Sequence, residues 1–83
     1  MKAHFVYVIS SQIVKRLYVG MTQDVEKRLL DHNRGKVFST KGYRPWKVMQ
    51  VEEFDSRKLA RQREKYFKSG IGKEILRSLF KKS

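Results

Sequence analysis

The sequence contains no cysteine, which excludes a disulfide scaffold and any thiolate zinc site. A reducing compartment such as the bacterial cytoplasm fits that absence. Long hydrophobic runs are missing as well. The apolar run Phe5–Ile9 is too short for a signal-peptide core and has no cleavage site after it, and no stretch is long enough to span a bilayer. Acidic residues are scarce: eight Asp and Glu stand against twenty Lys and Arg, a formal net charge of +12. Self-repulsion on that scale disfavours a compact chain, so the excess points to a polyanionic partner. Nucleic acid ranks first, because phosphate neutralisation supplies most non-specific binding energy. An anionic membrane ranks below it, since no segment pairs one basic face with one broad apolar face.

What is present suffices for a core. The 83 residues are 40% hydrophobic, which predicts a single folded domain over residues 1–83 rather than disorder. Phe5–Ile9 is β-branched and aromatic throughout and predicts a buried strand. Ser10-Ser11-Gln12 reads as a turn, and Leu17–Val19, closed by Gly20, as a second strand pairing antiparallel with the first. A helix is expected from Thr22 to Asn33, capped by Thr22 or Asp24 and ended by Asn33 or Gly35, with Val25 and Leu29 on its apolar side. Residues 34–45 read as a loop, and Trp46–Val51 alternates with the period of a third strand, Trp46 anchoring it in the core. A second helix runs from a cap at Asp55 or Ser56 to about Ser69, with Gly70 as its stop. A short third helix follows over Gly72–Lys82, with Ile75, Leu76, Leu79 and Phe80 turned inward. The expected fold is α+β: a small three-stranded antiparallel sheet flanked by helices, in the order β-β-α-β-α-α.

Three features carry chemistry. The second helix holds six basic residues and one acid, Glu64. Helical spacing puts Glu64 on the same face as Ala60, Phe67 and Ile71, inside the stripe that packs on the sheet. A carboxylate there must be paired, by a salt bridge to a neighbouring Arg, or must hold a metal. Arg28 and His32 lie one turn apart on the first helix and reach the same patch. They are either a solvated pair or a phosphate clamp with a proton shuttle. Tyr7 and Tyr18 each lie mid-strand, where packing is the usual role. A phenol near a metal and cations also loses its proton more easily and can serve as a base. Lys36, Lys41, Arg44 and Lys47 flank the long loop, either as plain solvated charge or as a face that tracks phosphates.

The joint order is more specific than any single signal. Val6-Tyr7-Val8, then Tyr18-Val19-Gly20, then Met21-Thr22 and a helix with Arg28 and His32, then Ser39-Thr40-Lys41-Gly42-Tyr43-Arg44-Pro45-Trp46, then Arg63-Glu64-Lys65 on a later helix, resembles the GIY-YIG nuclease superfamily over about residues 4–80. The likeness is to its small bacterial stand-alone members. Two departures stand out. Many members carry an Asn in their C-terminal part, where this chain has none, its one Asn being Asn33; and Met21 stands where some repair-type members have Lys.

The resemblance implies a site on one sheet face. Tyr7 would be the base that activates water, with Tyr18 assisting. Arg28 would neutralise the scissile phosphate and His32 would bond it or relay the proton. Glu64 would be the one protein ligand to Mg²⁺ or Mn²⁺. The implied activity is a metal-dependent DNA endonuclease on duplex or branched DNA, structure-selective or weakly specific, in repair, recombination or mobile-element processing, with a targeting protein as a further partner. The rival expectations are a binding module for DNA or RNA without catalysis, and a protein-interaction domain.

Overall fold

The computed structural model describes residues 3–80. The chain order is β1 (His4–Ser11), β2 (Leu17–Thr22), α1 (Val25–Asn33), a 3₁₀ turn (Lys41–Tyr43), β3 (Trp46–Phe54), α2 (Arg57–Lys68) and α3 (Gly70–Phe80). The three strands form one antiparallel sheet with β1 in the middle, β2-β1-β3. This is the expected α+β fold, with strands longer than the sequence pattern suggested. Ser10 and Ser11 extend β1 instead of turning, because Ser11 Oγ donates to the Tyr43 carbonyl at 2.7 Å and its backbone N–H to Arg16 O. Gly20 does not close β2 but sits inside it, opposite Tyr7.

Alternation along β1 divides the protein into two layers. Val6 and Val8 point to one face, where they join Val19, Ala60, Phe67 and Leu76 under α2 and α3. Tyr7 and Ile9 point to the other, with Trp46 buried beside them and Val25 and Leu29 of α1 packed on top. A bidentate pair from Arg63 to Glu52, at 2.8 and 3.2 Å, fastens α2 to β3 on the first face. The Glu52 carboxylate raises the Arg63 pKa further, against a smaller opposing effect of burial. Among the described residues, no helix is long and apolar enough to cross a membrane.

The helix ends follow local chemistry. Asp24 caps α1 by accepting from the Lys27 N–H. At its other end Gly35 adopts φ 80°, with Lys36 N–H bonding Asp31 O and Gly35 N–H bonding His32 O, the paired bonds of a Schellman motif. Asn33 then clamps the start of β3. Its side chain donates to Trp46 O at 3.1 Å and accepts from Trp46 N–H at 2.6 Å.

Helix α2 ends before Gly70, as expected; the start of α3 is corrected from Gly72 to Gly70, which opens the third helix as well as closing the second. Ser69 turns out of α2 in an extended conformation, and its hydroxyl accepts from the Gly72 N–H, so it caps α3 as α2 ends. Ile71 therefore leaves the α2 stripe and is 70% exposed. Of the α3 residues expected inside, Leu76 is buried, while Ile75 and Leu79 face solvent, Leu79 at 62%. The Phe80 side chain and the expected helix end at Lys82 lie outside the described residues.

The α2–α3 corner leaves no room at Gly72, where a Cβ would run into the Tyr66 carbonyl. Gly72→Ala must push the two helices apart, a cost of about 1–3 kcal/mol. In a domain of this size that lowers Tm by about 4–8 °C per kcal/mol. Thermal unfolding checks it; an unchanged Tm would mean that the corner yields to a methyl group without strain.

Candidate active site

The site grows from one cross-strand pair. Tyr7 on β1 lies opposite Gly20 on β2, and a Cβ at Gly20 would fall within the Tyr7 phenol. The glycine thus lets the ring lie down on the sheet toward α1. Tyr18, two residues earlier on β2, faces the same side, with ring centroids 6.4 Å apart. His32 comes down from α1 between them, its ring 5.7 Å from Tyr7 and 5.0 Å from Tyr18. It is fully buried, and Tyr7 is 2% exposed.

Both ring nitrogens of His32 are engaged. Nε2 lies 2.8 Å from the Tyr7 hydroxyl and Nδ1 lies 2.8 Å from Thr40 Oγ1. The Thr40 hydroxyl spends its proton on the Val37 carbonyl at 3.3 Å, so it accepts from His32. Nδ1 therefore carries the proton, and the Nε2 lone pair accepts the Tyr7 O–H. Burial favours the neutral form of each partner. The Tyr7 pKa is pushed up to about 12, with Arg28 opposing the shift and the Tyr18 and Glu64 charges adding to it. That of His32 is pushed down to about 4, by burial first and the Arg28 cation second, with Asp31 opposing.

Arg28 stands one turn before His32 and is half-exposed, its guanidinium close to the Tyr7 hydroxyl and 3.8 Å from the Asp31 carboxylate. Glu64 belongs to the opposite layer, yet its charge is felt at Tyr7. Its carboxylate pairs with Lys68 at 3.3 Å, and the Lys68 ammonium stands 5.8 Å from the Tyr18 ring centre. The carboxylate thus lies beside the tyrosine pair at the β2 edge of the sheet. Its partner is a lysine of its own helix, in place of the neighbouring Arg considered from sequence, since Arg63 is committed to Glu52.

The structure brings Tyr7, Tyr18, Arg28 and His32 together on the α1 face; the expectation of a site on one sheet face is corrected, since Glu64 comes from the α2 layer and meets them at the β2 edge. The structure does not bring Lys36, Lys41, Arg44 and Lys47 to them. Lys41 stands over the Phe38 ring, Arg44 donates to the Lys41 carbonyl, and Lys36 and Lys47 are exposed on the loop and on β3. Two residues were missed. Thr40 was visible only as part of the loop before β3, and Lys68 only through its one-turn spacing from Glu64. Among the described residues no group of three or more His, Asp or Glu side chains could enclose a metal. A lone, half-buried carboxylate fits Mg²⁺ only in the shared manner, with water and substrate oxygens completing the shell.

The imidazole assignment has a direct check. The ¹⁵N shifts of His32 should report a protonated Nδ1 and a bare Nε2 from pH 8 down to near pH 4; an ordinary titration near pH 6.5 would overturn it. Stability should follow. Because the folded pKa is depressed, the contribution is complete above the unfolded value of about 6.5. It is lost as pH falls toward 4. Urea unfolding across this range should show a slope that His32→Gln removes.

Comparison with known proteins bears on the family and the fold. A GIY-YIG catalytic-domain family model matches residues 3–74. A UPF0213 protein of Natronomonas pharaonis is 40% identical over 67 residues, covering 80% of this chain and 78% of that protein. A UPF0213 protein of Streptococcus pyogenes serotype M1 is 40% identical over 68 residues, covering 81% and 73%. The solution NMR structure of a UPF0213 protein from Bacillus halodurans superposes with a TM-score of 0.56 at 32% identity, covering 94% of this chain and 85% of that one. With the family model matching most of the chain and relatives 40% identical over four-fifths of it, the chain belongs to the GIY-YIG nuclease family.

Proposed function

We propose that this protein is a metal-dependent endonuclease that hydrolyses DNA phosphodiester bonds. The observation that carries the reading is the buried 2.8 Å hydrogen bond from the Tyr7 hydroxyl to His32 Nε2, with the Arg28 cation bonded to the same phenol and the Glu64 charge felt there. Tyr7 alone is too weak an acid to exist as phenolate at neutral pH. Paired to a neutral imidazole, it need not be one beforehand. As Tyr7 Oη takes a proton from the attacking water, the phenol proton passes to His32 Nε2. The imidazolium so formed keeps both bonds, donating through Nε2 to Tyr7 and through Nδ1 to Thr40.

Arg28 is placed to neutralise the phosphate as charge builds on its oxygens. Tyr18, half-exposed and without a second base, orients water or phosphate. Glu64 is the residue that would hold the divalent ion, Mg²⁺ or Mn²⁺, exchanging its bond to Lys68 for the metal. When bound, the ion supplies charge stabilisation for the leaving oxygen. The competing reading, binding without cleavage, draws on the net charge of +12 and on the Lys68–Glu64 pair.

Labelled duplex, nicked, flapped, four-way and single-stranded DNA, incubated with Mg²⁺, Mn²⁺ or EDTA, separates the two readings. Cleavage by wild type should require the metal and vanish in Glu64→Gln. Tyr7→Phe should lose about 10²–10⁴-fold in rate, the usual worth of a positioned base. Binding without a strand break under any metal would leave only the non-catalytic reading.

A further inference from the structure

A groove of about 1130 Å³ opens beside Tyr18, between the β1–β2 turn and helix α3. Lys15 and Arg16 stand on one wall, and Lys68, Lys73 and Arg77 on the other. Among the described residues no acidic side chain lines it. Leu17, Val19, Trp46, Met49 and Leu76 give the lining an apolar part beside these cations. Lys68 is paired with Glu64 at 3.3 Å; the other four cations have no carboxylate beside them among the described residues of the lining, and their mutual repulsion favours a polyanionic occupant.

We infer that this groove is the binding channel for a single-stranded nucleic-acid segment that leads to Tyr18. The inference rests on the nuclease reading for its direction toward the site. Cations beside apolar and aromatic side chains, Tyr18 and Trp46 among them, suit a polymer that offers phosphates and unstacked base faces to the same groove. A duplex hides its base faces in the stack and presents phosphates on a convex surface, so the apolar lining would stay uncovered. The channel is also continuous with the chemistry. Tyr18 and Lys68 both line it, and Lys68 bonds Glu64. A phosphate drawn to Lys68 therefore arrives next to the carboxylate. The channel places the principal contacts away from Lys36, Lys41, Arg44 and Lys47, none of which lines it.

The test is fluorescence anisotropy with labelled single-stranded DNA, single-stranded RNA and duplex DNA of equal length. The protein carries Glu64→Gln, and no divalent metal is present. Single strands should bind tighter than duplex. The triple variant Lys15→Ala, Lys73→Ala, Arg77→Ala should weaken single-strand binding on the order of tenfold. It should also flatten the slope of log K against log salt by about 2, roughly 0.7 for each phosphate no longer neutralised. A triple variant of Lys36, Lys41 and Lys47 to alanine should change both less. Circular dichroism confirms that each variant is folded. Equal loss on duplex and single strands, or a larger loss from the loop variant, overturns the channel. Because binding is read without metal, the outcome is independent of cleavage. A protein that cuts DNA but ignores the groove substitutions sinks the channel and leaves the nuclease. One that binds through the groove and never cuts does the reverse.

Discussion

Everything at the site hangs on the register of one strand pair. Tyr7 lies opposite Gly20, and that pairing places a phenol where only a hydrogen would otherwise stand. Slipping β2 by one residue would move Tyr18 to the helical core and put a β-branched or thioether side chain under Tyr7. Because β1 is the central strand, its neighbours hold it from both edges. Its alternation then serves two purposes at once: valines feed the layer under α2 and α3, while Tyr7 and Ile9 feed the layer under α1. The core and the chemistry share one short stretch of backbone.

Burial sets the protonation states. A buried phenol and a buried imidazole each resist charge, and together they form a neutral pair. Thr40 decides which imidazole nitrogen faces Tyr7 without a proton. That side chain is held in turn by its bond to Val37 and by a backbone that accepts from the Trp46 indole at 2.9 Å. Trp46 is fixed by Asn33 on α1. The loop before β3 is thus tied to the same helix that carries His32. The one asparagine of the chain serves this tie, which answers where its hydrogen-bonding capacity goes.

The existence of the strands, a cap for α1 at Thr22 or Asp24 and for α2 at Asp55 or Ser56, and the shared face of the two tyrosines were legible in the sequence, because each depends on spacing of two to four residues; the structure selects Asp24 and Ser56. The buried Trp46 was legible too. Ile71 was misassigned because helical periodicity continues on paper past Ser69, whereas the chain turns there and the serine hydroxyl starts a new helix. Ile75 and Leu79 lie on an apolar face wider than the strip that α3 buries, which is centred on Leu76. Thr40 carries no local signal. Its partner is eight residues away across a loop of irregular geometry. The grouping of Lys15 and Arg16 with Lys73 and Arg77 was invisible for a stronger reason: it joins the first turn to the last helix and exists only when the sheet closes.

The distribution of charge explains how so basic a chain can fold around a lone carboxylate. The acids on the helical face are used singly, Glu52 for Arg63 and Glu64 for Lys68. The first is bidentate and joins two elements. The second is a half-exposed pair of the kind worth little in water, so a stronger cation or a phosphate can take either partner at small cost. The two pairs differ in what they hold: Glu52 fastens two elements of the fold, and Glu64 is left with a bond weak enough to exchange, as the proposed metal role requires.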